Sequence, residues 1–371
     1  HVTGGSADKV TGEPNYHGWD EGIISMMGHS ARHCNAVTAV LWQVPRQPLY
    51  DNLYEDALMS YTFHQYQNTG DRSWPLMFPM VKSVVRAMDA VEQFAAAKRL
   101  PCSRGRFVIN GASKRGWTTW MTAATEDRRV AAIAPMVIDI LHMPVSVPYQ
   151  KHMYGSYSRE IHDYVDLGLT DVLSSSKGGN LVDMVDPYAY RSSYTMPKWL
   201  MLSTNDEFWT VDAVKNYMYG IPGLNRITYV PNAGHGMGDR KAVSSSLEAF
   251  FHYTIHGGKY PSCSSSVRVE GDIASLKLKT GRGRLLSVQP ESDTKDFRKS
   301  TFAPVEMPLP ERKKFSLPVE LPRKGYKAFF AMLTYAHPAG YDSYTLCTRM
   351  YTADAATVFD APYQPHAADM D

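Results

Sequence analysis

Cysteine is scarce in this chain, with four in 371 residues and no C-x-x-C spacing, which argues against a zinc ribbon or a thioredoxin-type motif. No N-x-S/T triplet occurs, so N-glycosylation gives no support to secretion. An excess of one charge is also missing. The 39 Lys and Arg stand against 37 Asp and Glu, so there is no cationic stripe to neutralise phosphates and no nucleic-acid partner is expected. No apolar run approaches the roughly 18 to 20 residues that span a bilayer, and no transmembrane segment is expected. What is present, 44% hydrophobic residues and 12% aromatic with 23 Tyr, predicts packed cores across two to three domains' length of chain. The chain opens on His1, with neither a charged n-region nor an apolar h-region, and its first residues already read as the end of a strand. A segment ahead of His1, including the first strands of the sheet, is therefore expected to be missing from this chain.

Residues 1–257 alternate short apolar runs with helical patterns, the signature of a mostly parallel sheet with crossover helices on both faces. Strands are expected at Val37–Trp42, Phe107–Asn110, Val130–Val137, Trp199–Leu202 and Ile227–Val230, with a helix through Met80, Val84, Met88, Val91 and Phe94. Between about 141 and 197 the pattern breaks into a Tyr-rich stretch, read as an insertion covering one sheet edge. From 258 to 359 the periodicity falls to two, as in Val267-Arg268-Val269 and Leu276-Lys277-Leu278, predicting a small all-β sandwich-like domain with its own core. Residues 360–371 read as a loose tail.

The run Phe107-Val108-Ile109-Asn110-Gly111-Ala112-Ser113-Lys114-Arg115-Gly116, followed by a helix over Trp117–Thr125, is a strand, a sharp turn around Ser113 and a helix. That is what a nucleophile elbow requires, although Arg115 stands where a small residue is usual and Gly116 follows one place late. A serine hydroxyl needs a base, and the base needs a carboxylate to fix its tautomer. Trp199-Leu200-Met201-Leu202 runs into a loop with Asp206, and Ile227–Val230 into Pro231-Asn232-Ala233-Gly234-His235-Gly236. Serine, acid, then histidine at successive strand ends is the α/β-hydrolase chain order. Backbone N–H groups for an oxyanion are expected from Lys114 and from Gly5 or Ser6 in the early Gly4-Gly5-Ser6 loop.

Taken together, Val2-Thr3-Gly4-Gly5-Ser6, Trp42 to Leu49, Asn110 to Gly116, Ile138-Asp139-Ile140-Leu141, Asn205-Asp206-Glu207-Phe208, Pro231 to His235 and Asp296-Phe297-Arg298 resemble the PhoPQ-activated pathogenicity-related protein family over nearly the whole chain. The resemblance implies an exported, secreted or periplasmic α/β-hydrolase-fold protein with an all-β C-terminal part and a Ser113, Asp206, His235 triad. It also implies that Arg115 belongs to the family pattern. It does not imply a substrate.

Asp139, ending the preceding strand, is the alternative acid, while Glu207 and Asp212 read as solvated or capping a helix over 211–219. Trp42, Gln43, Tyr188 and Tyr190 are candidate substrate contacts, with loop or insertion packing as the rival reading. His29 and His33 stand four apart but lack the H-E-x-x-H pattern, and neither a metal nor a cofactor is expected. The even cysteine set, two in each half, suggests Cys34 paired with Cys102 and Cys263 with Cys347, against four buried thiols. The expected activity is hydrolysis of a small-molecule or polymer-linked carboxylester, with a peptidase, or a non-catalytic binding or signalling protein on the same fold, as alternatives. The C-terminal β region is a candidate contact for a matrix or partner subunit.

Overall fold

The computed structural model describes the chain apart from residues 8–13, 16–17, 103–104, 176–177, 239, 282, 309, 311–312, 341 and 366–371. Four parallel strands lie side by side in the order Phe107–Ala112, Val130–Met136, Lys198–Ser203 and Asn225–Val230. They are apolar without alternation because both faces are covered. Successive residues of Lys198–Ser203 feed opposite sides: Trp199 and Met201 pack with Ile23, Leu247 and Phe250, whereas Leu200 and Leu202 pack with Met80, Met88 and Trp120. The helices Gly18–His33 and Arg240–His256 thus cover one face, and Met77–Ala97 and Lys114–Ala124 the other.

The sheet continues past Phe107–Ala112 through Val2, which forms parallel bridges to both Gly111 and Leu41. Val37–Trp42 is reduced to that single bridge at Leu41, whose N–H donates to the His1 carbonyl while its own carbonyl accepts from Thr3. Upstream of it Val37 is 43% exposed, so the β-branched run lies on the surface instead of in the sheet.

On the other side, the C-terminal strands extend the same sheet. Ser343–Cys347 pairs antiparallel with Asn225–Val230 at Cys347 and Ile227, and is followed outward by Tyr326–Ala336, Arg284–Val288 and Pro304–Met307. Cys263–Glu270, Ile273–Thr280 and Lys314–Glu320 form a second, antiparallel layer. Its inward residues Leu276, Leu278 and Val319 share a core with Phe329, Leu333 and Trp199, so on this face the β region and the parallel part pack around a common core and are joined by the long sheet.

The insertion folds as short helices, Met143–Tyr154, His162–Val165, Leu169–Ser174 and Gly179–Val185, with a 3₁₀ segment over Pro187–Ser193. The expected helix over 211–219 is instead two 3₁₀ turns, Ala213–Asn216 and Met218–Gly220. The tail is docked where it begins: Asp360 pairs with the buried Arg349, and Tyr363 packs on Tyr149 and donates its N–H to Asn216 Oδ1. Residues 366–371 lie outside the described residues.

All four cysteines are free thiols, which overturns both expected disulfides. Cys34 is buried and donates to the Glu248 carbonyl, and Cys347 Sγ accepts the Tyr229 N–H inside the sheet. Burial pushes the Cys34 and Cys263 thiols up to about 12. An even number of cysteines carries no geometric information, and here the Cys34 and Cys347 sulfurs serve as small core groups while Cys102 and Cys263 are half-buried.

Candidate active site

Each of the four parallel strands ends at the same sheet edge in a residue singled out by sequence: Ser113, Asp139, Asp206 and His235. Ser113 occupies the turn between its strand and the helix Lys114–Ala124 with φ 56° and ψ −128°, a region costing on the order of 1 to 3 kcal/mol. Its N–H donates to the Met136 carbonyl at 2.9 Å and its carbonyl accepts from Trp117 at 2.9 Å, so the turn is pinned from both sides. The flanking glycines explain the unusual spacing. A Cβ on Gly111 would stand 2.7 Å from the Arg115 carbonyl oxygen, and one on Gly116 2.8 Å from the Met136 carbonyl oxygen. The close approach between helix and neighbouring strand thus falls three residues after Ser113, which leaves the second position open for Arg115.

The imidazole of His235 is held by Asp206, with Nδ1 at 2.9 and 3.0 Å from the two carboxylate oxygens. Asp206 Oδ1 also accepts the Phe208 N–H, and burial raises this carboxyl, which the His235 and Phe208 contacts counteract. An ionised carboxylate on Nδ1 makes that nitrogen the donor and leaves the lone pair on Nε2. Nε2 is buried without a hydrogen-bond partner among the described residues, and so is not bonded to Ser113 Oγ in this state. Phe208 packs tilted against the ring, with centroids 4.2 Å apart and 36° between the planes. Glu207 is exposed, as expected, and it also has a local partner: its Oε2 accepts the His235 N–H at 2.7 Å, and its carboxylate occupies the space a side chain at Gly234 would take.

Asp139 sits at the expected strand end but turns to a different partner, the Tyr217 hydroxyl, and burial raises its carboxyl to about 7. Asp212, expected at the surface or as a cap, is fully buried against Tyr149, Lys215 and Thr352.

Gly4 and Gly5 leave the sheet beside this strand end, because Val2 bridges Gly111, and Ser6, expected in the loop, instead opens the two-residue strand Ser6–Ala7 that pairs with Pro14–Asn15. Gly5 adopts φ +119°, open to glycine. Gln43 touches the loop, donating its N–H to the Gly4 carbonyl at 2.8 Å, and Trp42 packs against the core beneath. Tyr188 and Tyr190 face the insertion: Tyr188 stacks on His142 and the Tyr190 hydroxyl donates to the Met184 carbonyl. His33 bonds Glu248, and no group of three or more His, Cys, Asp or Glu side chains among the described residues is arranged to hold a metal.

Three contributors escaped sequence reading. Glu55 forks onto the Arg115 guanidinium and reaches Lys114, which together hold its carboxyl down at about 2 against the opposing effect of burial. Asn205 and Asn232, each one to three residues from the acid or the base, are tied to the C-terminal part. Asn205 Nδ2 donates to the Arg298 and Ser300 carbonyls at 3.1 and 2.8 Å, and Asn232 exchanges two hydrogen bonds with the Phe302 backbone. The only hint in sequence was the Asp296-Phe297-Arg298 motif itself.

A mostly parallel sheet wrapped by helices, with a strand–Ser113–helix elbow and an Asp206–His235 pair at the ends of later strands, defines an α/β-hydrolase fold extended by C-terminal antiparallel strands. The chain belongs to the PhoPQ-activated pathogenicity-related protein family, whose profile matches residues 1–298. It is 31% identical to autocrine proliferation repressor protein A of Dictyostelium discoideum over 356 residues, 87% of this chain and 71% of that protein. Among solved structures it is similar to Est1E from Butyrivibrio proteoclasticus (TM-score 0.40, 12% identity, 69% of this chain and 88% of that one). It is also similar to an acetyl xylan esterase from Paenibacillus sp. R4 (TM-score 0.41, 14% identity, 67% and 73%).

Proposed function

We propose that the protein is an exported serine hydrolase acting on carboxylesters, small or polymer-linked. The observation that carries this reading is His235, whose Nδ1 is fixed by Asp206 while a buried, unspent Nε2 lies at the sheet edge where Ser113 ends its strand. In the proposed reaction Ser113 Oγ turns toward Nε2 and attacks the ester carbonyl as Nε2 takes its proton. The N–H groups of Lys114 and of Gly5 or Ser6 hold the resulting oxyanion. The imidazolium, stabilised by Asp206, returns the proton to the leaving alcohol, and an acyl-Ser113 remains. Water, deprotonated by Nε2, then releases the acid and regenerates Ser113. An ester is preferred to an amide because its leaving group needs less protonation. Family membership supports export, and no helix among the described residues is long and apolar enough to cross a membrane.

Labelling with a fluorophosphonate probe, followed by mapping of the modified peptide, tests the reading. Modification confined to the Ser113 peptide and lost in Ser113→Ala is the expected result. Folded protein that stays unlabelled would turn the assignment to the second reading, a signalling protein that keeps the fold without turnover. That reading is favoured by the name of the Dictyostelium relative, an autocrine proliferation repressor.

A further inference from the structure

The two backbone elements assigned above to the oxyanion come from distant parts of the chain, and one carboxylate touches the supports of both. On the nucleophile side, Glu55 accepts from Arg115 Nη1 and Nη2 at 2.5 and 2.8 Å and lies 3.2 Å from Lys114 Nζ. Lys114 is anchored further by Asp56 at 2.5 Å. On the loop side, Gln47 is buried, takes the Glu55 N–H on its Oε1 at 2.9 Å, and donates Nε2 both to Glu55 Oε1 and to the Gly5 carbonyl at 3.1 Å.

Arg115 reaches the same loop by contact. Its Nε donates to the Val44 carbonyl at 2.6 Å, and its guanidinium lies flat under Gly4, where a Cβ would stand only 2.6 Å from Cζ. The loop's peptide planes follow from these anchors. In a trans peptide the C=O and N–H point to opposite edges. With the Gly4 carbonyl held by Gln43 N–H and the Gly5 carbonyl by Gln47, the N–H groups of Gly5 and Ser6 are turned to the other edges of their peptides.

We infer that Glu55, acting through Arg115 and Gln47, is a positioning residue that fixes the spacing and peptide orientation of the two halves of the oxyanion hole. Arg115, the departure from the usual elbow motif, is then the strut between the nucleophile helix and the Gly4-Gly5 loop. This rests on Ser113 being the nucleophile. The device fits the chemistry, since oxyanion donors contribute in the transition state and a small misorientation lowers turnover more than substrate binding.

The test compares wild type with Glu55→Gln, Arg115→Lys and Gln47→Met, using the second-order rate of fluorophosphonate labelling at Ser113 and the hydrolysis of p-nitrophenyl acetate per labelled site. Expected is a loss of about 10- to 100-fold in labelling rate and kcat for Glu55→Gln and Arg115→Lys, with KM held within about threefold. Lysine keeps the charge but not the fork, so Arg115→Lys separates geometry from charge. Gln47→Met removes the amide's bonds to Gly5 and to Glu55 at nearly constant size and with no change of charge, and is expected to lose about tenfold even if the charge variants fold poorly. Variants that fold, label and turn over at the wild-type rate per site, or that lose thermal stability alone, overturn the inference. Wild-type protein whose labelling survives Ser113→Ala overturns the nucleophile assignment instead, a different and separately visible failure.

Discussion

The two sides of the candidate site are held by opposite kinds of chemistry. Around Ser113 the supports are ionic: Glu55 and Asp56 against Arg115 and Lys114, with the Tyr164 hydroxyl on Asp56. Around Asp206 and His235 the ties to the C-terminal part are neutral amides, Asn205 and Asn232 on the backbone of residues 298–302, beside the local contact of the Glu207 carboxylate with the His235 N–H. The difference follows from the job. The nucleophile side must place peptide dipoles, and a forked guanidinium–carboxylate pair sets planes and distances well. On the acid–base side the amides of Asn205 and Asn232 tie the loops to backbone groups of the C-terminal part without adding charge.

The largest break in this comparison is at the reacting atoms. Ser113→Ala is expected to abolish labelling and lower ester turnover by at least about 10³-fold, measured against background hydrolysis. Asp206→Asn, which keeps the shape but favours the wrong His235 tautomer, is expected to cost about 10⁴-fold in kcat. Asp139→Asn sharpens the assignment by contrast, with kcat expected within about threefold of wild type because Asp139 bonds Tyr217 rather than His235.

A smaller effect separates the two supports. Asn232→Ala leaves the Phe302 N–H and carbonyl without their partner, and a loss of about 1 to 3 kcal/mol in chemical denaturation is expected, unchanged by salt. The ionic side answers to acid instead. Because Glu55 is held down at about 2 from an ordinary 4.5, its stabilising contribution is complete above about pH 4.5 and lost as pH falls toward 2. Glu55→Gln is therefore expected to flatten the acid limb of a stability profile that Asn232→Ala leaves in place.

The pH signal from Asp139 has the opposite sign. Asp139, raised by burial from 3.8 to about 7, favours the folded state below about pH 3.8, and that contribution fades as pH rises through 7. Asp139→Asn should remove this slope, as pH-dependent melting between pH 4 and 7 would register.

Much of this was legible in the sequence because parallel strands announce themselves by unbroken apolar runs, and their ends by the small residues that must turn there. Phe107–Ala112, Trp199–Leu202 and Ile227–Val230 each led directly to a candidate site residue. What stayed hidden depended on distance. Glu55 reads in sequence as an acidic residue opening the helix Glu55–Thr69, and only the fold brings it 60 positions away to Arg115. Arg115 reads as a departure from the usual motif, and only the packing shows that the close contact has moved to Gly116. The period of two after residue 258 was read correctly as β structure, but periodicity says nothing about pairing partners, and the bond between Cys347 and Ile227 strands was invisible. Cysteine parity misled for the same reason.

The strap over residues 298–302 gives the molecule an order of assembly. Ser113, Asp206 and His235 are all synthesised before the backbone that secures the acid and base loops, and before Ser343–Cys347 can close against Asn225–Val230. A chain emerging from the ribosome thus carries the candidate site residues while the loops that join them are still unsecured, and the last strands to be made are the ones that secure them.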